Sequence, residues 1–372
     1  MRLKCALACA ALCAMTAAAV RADAAKEEQH GKLELKSAGP LAFGPRGVLF
    51  IGDPRAAAIL AVETKDTGNE GSGERLKASV NVDDINQKIA SLLGTAADRV
   101  RIQDVAVNPA SGKVYISVSR GRGPDALPVI VRVDASGKVG EFALDNVAFT
   151  RASLPNPPED QESGSGRRRQ NNRDFAITDL AYINGTVVVA GLSNEEFASN
   201  LRAIPYPFSD INRGASIEIF HGNHGKLETK SPVRTFVPIT WGRNPQIIAA
   251  YTCTPLVRIP LSDLRPGVKV RGTTIAELGN RNQPLDIIAY QKDGKNFLLL
   301  ANAVRGVMKI GTEDLLTREG ITKPVHGKTA GQPYETIKSW KGVTQLDQLD
   351  EANAIVLIED QGHAHLRTLP LP

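Results

Sequence analysis

The feature that most limits what this chain can fold into is a pair of short apolar segments joined by a turn, which recurs along the sequence. Copies begin near residues 41, 104, 179 and 286, and in most of them a Ser-Gly, Asn-Gly or Asp-Gly turn connects the two segments. Such turns between runs of β-branched and aromatic residues are typical of β-hairpins. The sequence therefore predicts a chain built from antiparallel hairpins.

A third apolar strand follows each hairpin, and a weaker fourth strand follows some of them. Third strands are expected at 59–63, 129–134, 217–220, 256–261, 307–310 and 363–369, with fourth strands at 139–144 and 273–278. Four-stranded units that recur every ~40–60 residues are typical of β-propeller blades. The prediction is an all-β, six-bladed β-propeller, with seven blades as the alternative count. The blades begin near Leu41, Ile102, Ile177, Thr235, Leu285 and Val343.

The last blade reaches the chain end after its third strand, which leaves an unpaired sheet edge. Residues 33–36, an N-terminal strand ahead of the first blade, are expected to supply the fourth strand and close the ring. Two insertions interrupt the repeat. Residues 83–93 predict a short helix capped by Asp83. Residues 155–174, which include the basic triplet 167–169, have few apolar residues and predict a flexible surface loop.

The N-terminus is typical of a secretory signal. A basic start precedes an apolar run that ends at Val20, and small residues follow at the expected cleavage positions. We expect residues 1–22 to be removed and residues 23–372 to form one propeller domain, in the periplasm or outside the cell. The run is too short to span a membrane. Loss of Arg2, Lys4 and Arg21 lowers the formal net charge from +5 to +2, which does not favour a nucleic-acid partner.

Cysteine usage excludes two further classes. Three of the four cysteines lie in the leader, so Cys253 has no partner for an internal disulfide in the mature chain. No Cys-x-x-Cys-His stretch is present, and no haem is expected. Cys253 itself is interpreted as a small buried residue, with a nucleophile as the alternative. A monomer is expected.

The stretch 39–53 resembles the opening of exported six-bladed propellers of the NHL-repeat and gluconolactonase-like groups. Segments 192–201 and 250–256 resemble a group of uncharacterised secreted bacterial proteins. The gluconolactonase-like resemblance implies a divalent cation held in the central channel by Glu, Asn and Asp side chains. The Glu that the resemblance implies ahead of Gly39-Pro40 is replaced by Ala38, which weighs against carrying over the lactonase activity.

Propeller geometry predicts where a site would lie. The first strand of a blade lines the channel and the second runs antiparallel to it, so the start of strand one and the end of strand two lie on one face. Polar side chains at these places should converge on one funnel. The strand-one set contains Asp104, Asp179 and Asp286, with Asp347 as a weaker member. The strand-two set contains Asp53, Arg55, Ser119, Arg120, Asn194, Glu195, Thr252, Cys253, Asn302, Arg305 and Glu359.

Two functions remain open at this point. Carboxylates and amides in the funnel could coordinate Ca²⁺, with Asp104, Asp179 and Asp286 as the metal candidates, and support hydrolysis of a lactone or ester. With the arginines they could instead bind a small polar ligand or a protein partner without chemistry, which is the favoured hypothesis. The repeated aspartates also have a structural interpretation, in which they accept hydrogen bonds from neighbouring backbone N–H groups.

The histidines fall into two pairs. His221 and His224 are expected in an exposed hairpin turn between two outer strands. His363 and His365 alternate on one strand, so they share a face and could chelate a metal. Both pairs are interpreted as solvent-exposed surface residues.

Overall fold

Six sheets of three or more strands account for most of the described chain, and all their strand pairs are antiparallel except β15 with β20. The computed structural model describes residues 25–68, 79–164, 170–209, 211–240, 244–253, 255–326 and 329–372. The predicted signal segment 1–22 and the basic triplet 167–169 lie outside these residues. Within them, no helix is long and apolar enough to cross a membrane.

The elements follow one another along the chain in the order of their labels. The first half contains β1 (Gln29–Gly31), β2 (Leu41–Phe43), β3 (Val48–Asp53), β4 (Ala58–Glu63), α1 (Ile85–Leu92), β5 (Val100–Val107), β6 (Val114–Arg120), β7 (Leu127–Val133), β8 (Val139–Glu141), β9 (Val147–Ser153), β10 (Glu162–Ser163), β11 (Gln170–Asn171), β12 (Asp179–Ile183) and β13 (Thr186–Leu192). The second half contains β14 (Ser199–Pro205), β15 (Ala215–His221), β16 (Lys226–Glu228), β17 (Val233–Ile239), β18 (Gln246–Tyr251), β19 (Pro255–Pro260), β20 (Lys269–Arg271), β21 (Thr273–Glu277), β22 (Pro284–Lys292), β23 (Lys295–Asn302), β24 (Met308–Gly311), β25 (Ala330–Gly331), β26 (Glu335–Thr336), β27 (Val343–Gln348), β28 (Asn353–Asp360) and β29 (His363–Pro370).

These strands form six blades, which confirms the predicted all-β propeller and its blade count. The innermost strands β2, β5, β12, β17, β22 and β27 begin within a few residues of the six predicted blade starts. Blades 1 to 6 are named here by the chain order of these inner strands. Each inner strand pairs antiparallel with the next strand of its sheet, as the hairpin turns require.

The blades do not follow one another around the ring in chain order. Six apolar clusters fill the gaps between neighbouring blades. They join blades 1 and 2, 1 and 3, 3 and 4, 4 and 5, 5 and 6, and 6 and 2. The order around the ring is therefore 2-1-3-4-5-6. The outer strand of blade 1, β9, comes from the chain that follows blade 2 and pairs with β4.

Ring closure differs from the prediction that residues 33–36 complete the last blade. The free edge of β29 is instead covered by residues 80–82, where Val82 and Leu366 exchange N–H···O bonds of 2.9 and 3.0 Å. Val80 and Val82 are both buried against the apolar face of blade 6. The N-terminal strand β1 pairs with β9 on blade 1, and Leu33 packs between blades 1 and 2. Residues 80–82, a short segment with alternating apolar side chains, thus cover the edge of the last blade that the N-terminal strand was expected to cover.

Two local expectations need correction, and a third segment shows local structure. The helix α1 is present, but its N-cap residue is Asp84 rather than Asp83, and no side-chain cap bond forms. The segment predicted as the third strand of blade 3, 217–220, lies in the fourth strand β15, because β14 occupies the third place. Of the insertion 155–174, the described residues 155–164 and 170–174 include the antiparallel pair β10–β11 and most of a 3₁₀ turn at Asn172–Phe175, capped by the Asn171 side chain.

Candidate functional site

The six inner strands surround a channel of about 450 Å³, which all six blades line. The channel opens at one end into a funnel of about 1540 Å³. That end is where the inner strands begin and the second strands end, which is the face that propeller geometry predicts. Strand starts from several blades therefore bring polar groups together at this end.

Four inner strands carry a β-bulge at their start. The pairing register shifts at Gln103 in blade 2, Arg234 in blade 4, Leu285 in blade 5 and Thr344 in blade 6. Each of these extra residues lines the funnel. Because a bulge redirects the side chains beside it, the repeated bulge explains how residues of an inner strand face the funnel mouth as well as the channel.

Four aspartates of the inner strands connect neighbouring blades by hydrogen bonds. One oxygen of Asp104, Asp179, Asp286 and Asp347 accepts the N–H of the next residue in its own strand, at 2.7–2.8 Å. The other oxygen accepts an N–H from the inner strand of the next blade. These bonds come from Leu41, Phe236, Leu346 and Val107, at 2.6–2.8 Å.

Asp179 also accepts the Thr235 hydroxyl at 2.9 Å. Backbone bonding of this kind is the structural interpretation of the repeat. It does not favour the metal-ligand interpretation, because every one of the eight carboxylate oxygens already accepts a hydrogen bond.

The same carboxyl groups are held in an unfavourable electrostatic setting. Burial raises the pKa of Asp179 and of Asp347 to about 6 from a usual 3.8, against the hydrogen bonds that lower it. Burial together with repulsion between the aspartates raises the pKa of Asp104 and Asp286 well above that usual value. The neck of the funnel is therefore a ring of mutually repelling acids.

The funnel wall above that ring is cationic. Its lysine and arginine residues are Lys36, Arg55, Arg99, Arg101, Arg122 and Arg234, its acids above the aspartate ring are Asp98, Asp174 and Glu359, and His363 also lines it. Arg55 Nε lies 3.4 Å from Asp174, and Arg122 donates to the Asp98 carbonyl oxygen. The side chains of Lys36, Arg99 and Arg101 make no hydrogen bond or ion pair with the described residues. Above the aspartate ring, six Lys and Arg side chains thus face three carboxylates among the described lining residues.

Arg234 is the most constrained of these cations. It is the bulged residue of β17, and its guanidinium lies 5.6 Å from the centre of the Phe175 ring. Burial lowers its pKa, and its Nε is buried without a hydrogen-bond partner in the described chain. A buried guanidinium donor is costly unless it is paired. Among the described residues, no acceptor is supplied to Arg234 Nε.

Both insertions contribute to the funnel. Gln170, Asn171 and Asp174 of the 155–174 insertion line it, with Phe175 directly after them, as does Asn86 of α1. Arg173 fixes the insertion by donating to the carbonyl oxygens of Pro158 and Arg55. Described residues of the segment that was expected to be a surface loop therefore form part of the candidate site.

The structure brings some of the predicted site residues together and separates others. Arg55, Asp104, Asp179 and Asp286 line the funnel, as do Ser119 and Glu359, and Asp347 lines the channel below. Outside the lining lie Asp53, Arg120, Asn194, Glu195, Thr252, Cys253, Asn302 and Arg305.

Several of these outer residues have structural contacts. Asp53 is fully buried and accepts the N–H groups of Lys36, Ser37 and Ala56. Asn302 is buried and bonds with Asn282 and the Gly306 carbonyl oxygen. Arg305 donates to the Asn280 carbonyl oxygen. Glu195 accepts the Ser216 hydroxyl at 3.3 Å, and Asn194 is exposed. Arg120 is half-buried at the end of β6.

Cys253 is half-buried rather than buried, and it occupies a left-handed turn with φ 64°. Its N–H donates to the Asn282 carbonyl oxygen.

Lys36, Arg99, Arg101, Arg122 and Arg234 are funnel residues that the sequence interpretation missed. A signal was present, because Arg99, Arg101 and Arg234 all fall within a few residues of an inner-strand start. The bulge that turns Arg234 toward the funnel depends on the pairing of two strands, and nothing in the local sequence marks it.

No protein-family model matches this sequence, and a comparison with curated protein sequences found no match. Comparison with solved structures found distant likenesses. The PQQ-bound aldose sugar dehydrogenase of Streptomyces coelicolor is 12% identical, with 94% of this chain and 99% of that chain covered and a TM-score of 0.35. The apo aldose sugar dehydrogenase of Escherichia coli is 11% identical over 93% of this chain and 100% of that chain, with a TM-score of 0.31. A glucose dehydrogenase is 12% identical over 93% and 100%, with a TM-score of 0.36. At these scores the likeness carries no argument about function.

Proposed function

We propose that this protein is a binding propeller whose funnel takes a small polar ligand bearing a carboxylate or phosphate group. The ligand's anionic group would face the cationic wall, and its hydroxyl groups would face the amide and hydroxyl side chains near the neck. Gln103, Ser119 and Thr344 are placed to meet such hydroxyls. Export from the cytoplasm, which the N-terminal pattern indicates, is part of the same proposal.

The observation that carries the proposal is the uncompensated positive charge of the wall. Of its six cationic side chains, Arg55 alone lies within ion-pair distance of a described acid. Arginine presents several N–H donors in one plane and suits carboxylate and phosphate groups in particular. The acidic neck would repel the same anion, so the ligand's charged end is expected at the wall rather than in the channel.

A thermal-unfolding screen of the mature protein tests the proposal with matched pairs of probes. Glycerol is compared with glycerol 3-phosphate, and glucose with glucose 6-phosphate and gluconate. A ligand that binds only the folded state raises the melting temperature. We expect the anionic member of at least one pair to stabilise the protein and the neutral member to have little effect.

The variants Arg101→Gln and Arg234→Gln should abolish that stabilisation, because each removes one wall cation. Lys295→Gln is the matched control, since Lys295 begins β23 next to the turn from β22, at the other end of the inner strand from the funnel. If anionic and neutral probes behave alike, or if both arginine variants keep the full stabilisation, the proposed function is wrong.

A cation-dependent hydrolase is the second candidate, and the four mutually repelling aspartates favour it. A divalent cation at the neck would relieve their repulsion and could activate water. The hydrogen bonds described above leave only the remaining lone pairs of these oxygens for a metal. Metal analysis of the purified protein, followed by unfolding with and without a chelator, tests this candidate. It requires a bound cation whose removal lowers the melting temperature, and loss of that cation in Asp286→Asn.

A further inference from the structure

A second polar cluster lies at the turn between β15 and β16, at the outer edge of blade 3. His221 Nδ1 lies 2.9 Å from Glu228 Oε2, and His224 Nδ1 lies 2.6 Å from Glu228 Oε1. The two imidazole rings are 3.8 Å apart between centres. Two histidines therefore direct the same ring atom at one carboxylate.

We propose that His221, His224 and Glu228 form a binding site for a divalent transition-metal ion, with Zn²⁺ as the preferred ion. The ligand atoms of the three residues all lie within 4.8 Å of one another. Imidazole nitrogen and carboxylate oxygen are the ligands that Zn²⁺ takes outside thiolate sites. Three protein ligands leave one position of a tetrahedral ion open for water or another small ligand.

The distances fit an ion with small adjustment. Zn–N and Zn–O bonds of about 2.0–2.2 Å place neighbouring ligand atoms about 3.3–3.5 Å apart in a tetrahedron. The observed nitrogen–oxygen distances are shorter than this by less than about 1 Å, so side-chain rotations alone could open the cluster around an ion.

The backbone holds the two histidines in this arrangement. His224 N–H and Gly225 N–H both donate to the His221 carbonyl oxygen, at 3.1 and 2.8 Å, which brings the residues three apart onto one side of the turn. Glu277 of blade 4 fixes the turn, because its carboxylate accepts the backbone N–H of Gly222 at 2.5 Å and the side-chain amide N–H of Asn223 at 2.7 Å. The site is thus preorganised by two blades.

Burial separates this cluster from ordinary surface histidines. The side chain of His221 is 2% exposed and that of Glu228 is 13% exposed, whereas His224 is 45% exposed and gives access from solvent. The expectation that both residues of this histidine pair are exposed is therefore wrong for His221.

The other histidine pair provides a natural control. His363 Nδ1 contacts Asp84 and His365 Nδ1 contacts Asp83, so the two rings face different acids. Their ring centres are 6.4 Å apart, and these residues do not form a convergent group of three metal ligands among the described side chains.

The test is metal analysis of the mature protein after exposure to Zn²⁺ and removal of unbound metal, with Co²⁺ as a spectroscopic substitute. We expect the wild type to retain one Zn²⁺ and to give ligand-field bands of tetrahedral Co²⁺. His224→Ala and Glu228→Gln should retain none, and the double variant His363→Ala, His365→Ala should retain one. His224→Ala is the decisive variant, because its exposed ring can be removed with little effect on packing.

Unfolding of every variant in the presence of a chelator verifies that each is folded. A wild type that retains no Zn²⁺, or a folded His224→Ala variant that binds it as tightly as the wild type, would overturn the proposal. Because the funnel cations take no part in this site, the result is independent of the proposed function.

Discussion

The aspartate ring predicts that part of this protein's stability is lost as the pH rises. Asp179 has a pKa of about 6 in the folded protein, against a usual 3.8 that we take for the unfolded chain. A group whose pKa is raised by folding stabilises the folded state fully below the unfolded pKa. That contribution disappears as the pH rises through the folded pKa. For Asp179 the window is therefore about pH 4 to pH 7.

The magnitude follows from the size of the shift. One pKa unit corresponds to about 1.4 kcal/mol, so a shift from 3.8 to about 6 corresponds to about 3 kcal/mol. Asp179 keeps part of its surface exposed to the channel, so solvent screening makes this an upper bound. The pKa of Asp347 is raised by the same amount, so its contribution to stability changes with pH in the same direction.

The assay is urea unfolding of the wild type and of Asp179→Asn at pH 4 and at pH 7.5. The asparagine cannot ionise, so the stability of the variant relative to the wild type should improve by up to about 3 kcal/mol between the lower and the higher pH. Comparing the two proteins at each pH cancels every other titrating group that the substitution leaves unchanged.

Asp134→Asn is the matched control. Asp134 lies in an exposed turn, and the Ser136 hydroxyl bound to it lowers its pKa. The effect of Asp134→Asn on stability should therefore change with pH in the opposite direction. If the difference between Asp179→Asn and the wild type is the same at both pH values, or becomes less favourable to the variant at pH 7.5, the reasoning about the ring is refuted.

Two further predictions concern the fold. Val82→Ala should lower the free energy of unfolding by about 2 kcal/mol, because it removes buried methyl groups from the segment that closes blade 6. Val304→Ala, at a residue that is 73% exposed, should change the value by less than about 0.5 kcal/mol in the same urea titration, and equal effects would argue against this closure. Gly191→Ala should lower the melting temperature clearly, since an added Cβ would lie 2.2 Å from the Ala176 carbonyl oxygen. Gly140→Ala, which meets no atom within 4 Å, should melt close to the wild type, and the reverse order would contradict the packing described for blade 3.

The hairpins could be predicted because their information is local. The turn that joins β22 to β23 contains Asp293 and Gly294, both with positive φ, as a tight hairpin requires. The apolar runs on either side determine the pairing of β22 with β23. Turn residues and alternation lie within one short stretch of sequence, so the inner strands and the blade count could be read from it.

The outer strands could not be assigned in this way. Several apolar segments could pair with a sheet edge nearly equally well. Which edge each segment pairs with depends on which edge lies nearest in space. Val82 closes blade 6 across more than 280 residues of sequence, and β9 returns to blade 1 after blade 2 is complete. The exchange of blades 1 and 2 around the ring is a consequence of the same non-local pairing.

The candidate site likewise contains residues that local sequence predicts and residues whose placement depends on strand pairing. The funnel face and its aspartates followed from strand direction, and the backbone-bonding interpretation of those aspartates agrees with their contacts. Arg234 was missed because its direction depends on a bulge, and Glu228 was missed because its approach to His221 and His224 depends on the hairpin that joins β15 and β16. Side chains whose placement depends on pairing geometry are the ones that the sequence does not reveal.

The most direct test of the account is the affinity of the funnel for an anionic probe, measured by titration calorimetry on the wild type and on Arg234→Gln. The probe is the phosphorylated or carboxylated compound that stabilises the wild type most. Loss of a charge-assisted hydrogen bond costs about 1.5–3 kcal/mol, which corresponds to a Kd about 10 to 100 times weaker. The account predicts a loss of affinity in that range for Arg234→Gln, and an unchanged Kd for Lys295→Gln. Equal affinities for the wild type and Arg234→Gln would contradict the claim that the funnel wall binds an anion.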